Sequence, residues 1–560
     1  MSYGRLLSFA VFAALSGALS AETIRLTPAA DPASDRRDEV NRLISAAKPG
    51  DELLFAKGEY YFSNTIVVAG RKGFALRAEP GTVFRFRFLA NGYVTGAVED
   101  FIVAQSEDVR LEGFTCTTDR PVSVSGRVVA VHPETNEYDV RLEGDSHLDG
   151  TEPLCIADTC DEHGTPDRAH SWHNMNPVEE DDGKGGKRTR NRGIPYRLIE
   201  KDLVRVSAPK KYDFAQLDVG HRIVYRLVIG GGVMDIRDSR RVLVKDVTIW
   251  RSPSISVVIE PCSADVTFDG LRIYPEPGSK SLYSSNADGI HVAGMSGTLT
   301  LRNCLFDGFG DDPLNVHGKA SELHAYDPAT GAATCVWRLF HKEPRLMGDK
   351  WALKGDELAV YERTTFREKG RVRVGKVCSK GKFVLETPQG FALQLGDILI
   401  NTRDYPKVRV SNCTARNVRS RGLLLQSRDV KVTGCTFTGI GGAAILAAPD
   451  INNWYESGPT AGLEVRNCTF DRCGARSSAI GAFTVKVNHE GPIDAFPSGV
   501  HRDITLADCT FRACGNSPTN VCIASTTGVR VENCRFEQTK GTGDPVVFVN
   551  CTDVHFDAQE

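Results

Sequence analysis

Two short phrases concentrate the reactive side chains of this chain: Asn286-Ala-Asp288-Gly-Ile290-His291-Val292-Ala293-Gly294 and Gly308-Phe-Gly310-Asp311-Asp312-Pro-Leu314-Asn315-Val316-His317-Gly318. Aligned with Ile290 over Leu314 and Val292 over Val316 as a shared inward column, the phrases bring Asp288 onto Asp312, one strand spacing away. Three carboxylates gathered at one place repel one another, and such crowding raises the pKa of one member. Glycoside hydrolysis needs that arrangement, because one carboxylic acid must protonate the leaving oxygen while another carboxylate activates water or attacks. Bound Ca²⁺ is the competing chemistry, since it takes several carboxylate oxygens; a solvated polar corner is the plainest one. Asn286, His291, Asn315 and His317 surround the trio with neutral donors, which suits a hydroxyl-rich ligand better than a calcium cage.

An internal control supports a special role for these acids. Gly439-Ile-Gly-Gly442-Ala443-Ala-Ile-Leu446-Ala-Ala448 repeats the second phrase position for position, with Gly442 and Ala443 in place of Asp311 and Asp312, and Leu446 and Ala448 in place of Asn315 and His317. The turn itself therefore does not require carboxylates. Glu260 falls in the same outward column as Ala293 and His317, which predicts contact with sugar hydroxyls. Trp454 and Tyr455, at the end of a later coil, are placed either to stack on the apolar face of a sugar or to anchor a loop.

The elements that must position these residues are read from a recurring Cys-x-Phe phrase. It occurs at Cys304/Phe306, Cys435/Phe437, Cys468/Phe470, Cys509/Phe511 and Cys534/Phe536, each preceded by alternating apolar residues and followed by a Gly-containing corner. A coil of roughly 22 to 40 residues with period-2 alternation predicts an all-β protein, a right-handed parallel β-helix. In such a fold the cysteines stack in one column as small buried hydrophobes. A disulfide is left open, with Cys155/Cys160 the most plausible pair, and the absence of a Cys-x2-Cys pair with His partners argues against structural zinc. Val40, Leu43, Ile44 and Ala47 are spaced as one face of a helix over 35–47, which would cap the open end of the solenoid.

This reading divides the chain into a signal peptide (1–21), a cap with the first coils (22–122), a β-barrel-like insertion (123–228), the coils carrying the acids (229–318), a second β-barrel-like insertion (319–407) and the remaining coils (408–560). The leader has Arg5 before the apolar run Leu6–Leu15 and small residues near a cut, so the mature protein is expected to be exported, periplasmic or secreted. Its run is shorter than the roughly 20 residues a spanning helix needs, and no later stretch is long enough, so no membrane span is expected. The polar run Glu179–Arg192 reads as an exposed loop. With 68 Lys+Arg against 71 Asp+Glu, no global field exists for nucleic-acid or anionic-membrane binding. The sequence leaves homo-oligomerisation open.

On Asn286-Ala-Asp288-Gly, Gly310-Asp311-Asp312 and His317-Gly318 the chain resembles, loosely, the polygalacturonases. Over nearly the whole mature chain it more closely resembles the bacterial α-1,3-galactosidases of glycoside hydrolase family 110, through Asn-Ala-Asp-Gly followed one coil later by Asp-Asp-x-x-Asn-Val-His-Gly. The resemblance implies a pectin-lyase-like solenoid and an inverting exo-enzyme that removes terminal α-1,3-linked galactose, from blood-group-B-type or linear ends, without metal or cofactor. Carried over, Asp311 is the general acid, and Asp288 with Asp312 holds and deprotonates the water. From their positions in the coils, Asn286, His291, Asn315, His317, Glu260 and Trp454 are expected to contact substrate. The expected partner is thus a carbohydrate with terminal α-galactose. No counterpart of the Arg-x-Lys element that polygalacturonases use for the uronate carboxylate is found after His317. A pectin-type hydrolase or Ca²⁺-dependent lyase, and a non-catalytic carbohydrate-binding solenoid, are the alternative readings.

Overall fold

The computed structural model describes residues 21–88, 99–161, 164–173, 177–181, 187–191, 193–207, 217–227, 230–340, 342–475, 480–515 and 518–558. The signal-peptide reading falls almost wholly on residues outside these. No helix among the described residues is long and apolar enough to cross a membrane.

Successive coils pair strand on strand, in parallel and in register, over almost the full length of the described chain. One face runs from Ile66–Ala69 through Phe101–Ala104, Met234–Arg237, Val257–Ile259, Ile290–Ala293 and the start of Leu314–Asp327 to Leu423–Leu425 and onward to Val546–Val549. The other faces belong to a 21-stranded sheet. A single coil shows how the sequence makes this: Ile290–Ala293 ends at Gly294 (φ +99°), Ser296–Arg302 follows, and Asn303 (φ +58°) turns the chain into Leu305–Phe309. Leu299, Leu301, Cys304 and Phe306 point into the core, while Thr300 and Arg302 alternate outward.

The residue before a column cysteine has a physical reason to be Asn, Asp or, before Cys435, Gly434 (φ +65°). Asn303, Asn412, Asn467, Asp508 and Asn533 all have φ between +52° and +58°, the left-handed region these short polar side chains tolerate. The cysteine column is longer by one than the Cys-x-Phe phrase reveals: Cys413 stands between Cys304 and Cys435, linked to both by backbone hydrogen bonds from Thr414 to Cys304 and from Thr436 to Cys413. Its coil was missed because Ala415 sits where the phrase has Phe, between Phe306 and Phe437. All 16 cysteines are free thiols. The Cys155/Cys160 pairing is excluded by the strand Ile156–Cys160, which spaces the two residues about 16 Å apart, far beyond disulfide reach.

The helix Arg37–Ala46 covers the first coil as expected, burying Val40 and Ile44. Asn41 binds the edge strand with both ends of its amide, donating to Thr65 O (2.9 Å) and accepting from Val67 N (2.8 Å), so the edge is closed to further pairing.

Both insertions are antiparallel and have their own apolar clusters. The second closes on itself: Leu314–Asp327, Ala332–Trp337, Lys382–Glu386, Glu368–Ser379, Glu357–Tyr361 and Ile398–Asn401 pair in a ring. In the first, the described residues form an open seven-stranded sheet rather than a ring. The polar run Glu179–Arg192 is not simply a loop, because Pro177–Asp181 and Lys187–Asn191 pair as a hairpin. Leu314–Asp327 belongs to both worlds, pairing with Leu423–Leu425 inside the solenoid and with Ala332–Trp337 outside it, so the strand bearing Asn315 and His317 runs directly into the second insertion.

The aromatic column gives a measurable consequence. Phe470 is fully buried with stacked ring contacts at 5.2 Å to Phe437 and 4.4 Å to Phe511. Phe470→Ala is expected to cost about 3–5 kcal/mol, read as a lower denaturation midpoint; an unchanged midpoint would mean that the column collapses around the gap at no cost.

Candidate functional site

A cleft of about 670 Å³ opens along the face carrying Asp288, His291, Asp311, Asp312 and Asn315, and continues past Arg419, Arg421, Gln426, Asn453, Trp454, Glu456 and Lys486. Its floor is the stacked register itself: Gly289 N donates to Asp312 O (2.8 Å) and Ile290 N to Pro313 O (2.9 Å), which seats Asp288 beside Asp312. One carboxylate oxygen from each of Asp288, Asp311 and Asp312 lies within 4.8 Å of the other two. The acids differ in exposure: Asp312 is fully buried and Asp288 nearly so, whereas the side chain of Asp311 is 37% exposed to the cleft.

What balances this charge is a set of arginines. Arg421 grips Asp312, with Nε at 2.9 Å from Oδ1, Nη2 at 2.5 Å from Oδ2 and its own backbone N at 2.9 Å from Oδ1; Nη2 also lies 3.8 Å from Asp311. Arg419 Nε donates to Gly310 O (2.6 Å). Arg226, from the last strand of the first insertion, donates to Gly310 O (3.1 Å) and Asn286 O (2.8 Å) while held by Asp158 Oδ2. The carbonyls that flank the acids are thus clamped from a separate sheet.

The acids titrate as one set. Burial pushes Asp312 up to about 7, with the neighbouring Asp311 adding to the rise and Arg421 opposing it. Burial also raises Asp288, against its bond to His291. At Asp311 burial is outweighed by Arg419, Arg421 and Arg226, and its pKa is lowered.

Behind Asp288 runs a pair of imidazoles. His317 Nδ1 faces Gly318 O at 2.9 Å; a carbonyl only accepts, so Nδ1 carries the proton. Burial holds His317 down to about 4, so it is neutral and its Nε2 accepts from His291 Nε2 at 3.0 Å. His291 Nδ1 meets Asp288 Oδ2 at 2.7 Å, and this carboxylate outweighs burial to raise the His291 pKa. One proton is therefore shared between Asp288 and His291. Glu456 approaches His317 at 3.7 Å and accepts from Asn315 Nδ2 at 3.3 Å.

Of the residues expected from sequence, Asp288, His291, Asp311, Asp312, Asn315 and Trp454 line one cleft. Three do not. Asn286 is completely buried, its amide donating to Val122 O, and it serves the site through its backbone carbonyl. His317 is 2% exposed and stands behind His291. Glu260 does continue the outward column but lies beyond the cleft, near Asp235, whose pKa burial and Glu260 together raise to about 6. Tyr455 is buried, with its hydroxyl on Glu322. Arg419, Arg421 and Glu456 went unrecognised. The signal for the arginines was present: Arg421-Gly-Leu423 has the spacing of Asp312-Pro-Leu314, in the coil whose missing Phe hid it.

Among the described residues two groups bring possible metal-ligand atoms within 4.8 Å, the three aspartates and His291/His317/Glu456. In the first, guanidinium groups already meet the anionic charge; in the second, the ring nitrogens face one another.

The fold and site together define a parallel solenoid with an acidic cleft, and known proteins share features with it. The chain is 24% identical to α-1,3-galactosidase B of Bacteroides thetaiotaomicron, over 84% of this chain and 79% of that protein. It is 30% identical to α-1,3-galactosidase A of Akkermansia muciniphila over 49% of this chain and 44% of that protein, and 26% identical to α-1,3-galactosidase A of Bacteroides fragilis over 56% and 52%. The chain thus spans about half the length of the latter two relatives. No family model matches it. Among solved structures it is similar to the family 28 exopolygalacturonase of Yersinia enterocolitica, with a TM-score of 0.45 and 11% identity over 97% of this chain and 79% of that one.

The Asp312 shift fixes a pH dependence of stability. In the folded protein Asp312 keeps its proton to about pH 7, whereas the unfolded chain releases it near 3.8. Its contribution is therefore fully present below the lower value and is lost as pH rises through the upper one. Asp312→Asn should remove that slope, so that its denaturation midpoint gains on the parent's between about pH 4 and 7; curves that stay parallel would contradict the shift.

Proposed function

We propose that this protein hydrolyses terminal α-1,3-linked galactose from glycans, as an exo-acting glycoside hydrolase. The observation that carries this reading is the exposed Asp311 beside the buried, stacked Asp288 and Asp312, in a chain similar to proteins named α-1,3-galactosidases. Asp311 alone of the three presents substantial surface to the cleft, so it is the acid that reaches the leaving oxygen. In the free enzyme it is ionised, and it takes its proton from the set it shares with Asp288 and Asp312. Those two hold the attacking water between adjacent coils. His291, Asn315, Glu456 and Lys486 offer polar contacts to sugar hydroxyls. A right-handed coil and export through the amino-terminal leader belong to the same proposal.

Inversion is the stereochemistry this assignment entails. One oxygen from each of the three acids lies within 4.8 Å of the others, nearer than the roughly 6.5–9.5 Å usual between acid and base carboxyls of inverting enzymes. The anomer released is therefore a direct test: β-galactose appearing first in NMR spectra of an α-1,3-digalactoside digest supports the proposal, and α-galactose overturns its single-displacement part. A second reading, cleavage of a uronic-acid polymer, is favoured by one observation, the cationic Lys486 in the cleft wall; turnover of polygalacturonate in place of the digalactoside would establish it.

The roles within the triad separate by leaving group. Asp311→Asn should lower digalactoside turnover by about 10²–10⁴-fold yet retain hydrolysis of α-galactosyl fluoride, whose leaving group needs no acid. Asp312→Asn and Asp288→Asn should lose both substrates. Fluoride hydrolysis surviving in Asp312→Asn instead would exchange the two roles.

A further inference from the structure

Trp454 and Phe340 are two large aromatic side chains left half in solvent, 53% and 47% exposed, and they touch each other edge to face with ring centroids 4.7 Å apart. One exposed aromatic needs no explanation, but a pair in contact at the edge of a polar cleft does. Trp454 lines that cleft next to Asn453 and Glu456, while Phe340 comes from the second insertion.

The backbone is held under strain to present them. Phe340 (φ +49°) and Tyr455 (φ +56°) both occupy the left-handed region, which costs a bulky residue about 1–2 kcal/mol. The surroundings enforce it. Phe340 N donates to Asn453 O (3.0 Å), which ties the insertion to the loop. Asp450 Oδ1 accepts from the backbone N of Asn452 and Asn453 at 2.8 and 2.7 Å, and its Oδ2 from Asn488 Nδ2 at 2.9 Å. Asp450 N donates to Glu456 O (2.7 Å). The left-handed turn at Tyr455 sends its ring into the core and leaves Trp454 outside. Strain of this kind persists where the surrounding structure over-determines it, and it gathers at ligand clamps.

We propose that Phe340 and Trp454 form the platform that receives the sugar on the leaving-group side of the scissile bond, a proposal that rests on the glycosidase reading above. The floor of the cleft is polar and suits the hydroxyls of the terminal galactose. The aromatic pair stands at its outer edge, where the next sugar of the glycan emerges, and a pyranose presents an apolar C–H face to such a surface. Phe340 braces Trp454 and extends its surface, so the second insertion takes part in choosing the substrate.

The test compares two substrates that share the galactosyl group. For Phe340→Ala, kcat/KM on the α-1,3-digalactoside should fall about three- to tenfold, the loss expected of one aromatic contact. On α-galactosyl fluoride, which has no sugar on that side, kcat/KM should stay unchanged, which also reports that the variant is folded. Phe340→Tyr should restore digalactoside turnover. An equal fall on both substrates, or no fall on the digalactoside, overturns the platform while leaving the glycosidase reading standing. Inertness of the unaltered protein toward both substrates overturns that reading and the platform with it.

Discussion

Three carboxylates, one oxygen of each lying within 4.8 Å of the other two, set the terms for everything around them. At that distance a pair of like charges in an effective dielectric near 20 repels by about 3–4 kcal/mol, so the site exists only if protons and cations offset the crowding. The structure uses both. Arg421 takes Asp312, Arg419 and Arg226 bear on Asp311, burial raises the pKa of both Asp312 and Asp288, and Asp288 shares a proton with His291. Parallel in-register stacking is what makes the crowding unavoidable, because equivalent residues of adjacent coils sit one strand spacing apart.

The insertions are consequently parts of the site rather than attachments to the solenoid. Arg226 reaches across from the first insertion in a fully buried group with Asp158 and Tyr283, whose hydroxyl also donates to Asp158. A buried ion pair of this sort contributes little net stability, but removing one partner is costly, which fixes its geometry. That geometry holds the carbonyls of Asn286 and Gly310, two residues from Asp288 and adjacent to Asp311 respectively. The second insertion is a continuation of the strand bearing His317, and Lys319 at its start pairs with Glu456. The cleft wall itself is built of solenoid residues distant in sequence that coil stacking brings together, and the first insertion braces its acids from behind through Arg226.

The sequence carried the solenoid's period because its physical causes are local. Cysteine and phenylalanine recur at fixed inward positions of the coil, and Asn, Asp or Gly precedes the cysteine where the backbone must turn left-handed. The column Asp288–Asp312 was legible for the same reason, being a matter of register alone. Register says which residues stack, but not which columns open onto the cleft. Glu260 continues the correct column and still lies outside, and Asn286 was read for its amide when the site uses its carbonyl. Arg421 shows the other limit. Its coil lacks the phenylalanine that marked the others, so the residue stacked directly on Asp312 was passed over for Ala443, a coil further on.

The proton count connects these observations to the proposed single displacement. Single displacement needs one proton at the leaving oxygen and one unprotonated carboxylate at the water. Resting near neutral pH, the site keeps one proton between Asp288 and His291 and another on Asp312, while Asp311 is bare. His291 can take the proton from Asp288, because the neutral His317 behind it accepts from its other nitrogen and Glu456 lies within 3.7 Å of that ring. Asp288 is then a free base beside the water without any charge leaving the site. Asp312 cannot move, being locked by Arg421, but its proton has Asp311 as a neighbour with less burial and more reach. A bound sugar that displaces water from Asp311 raises the cost of its charge, and so draws that proton to the carboxyl best placed to donate it.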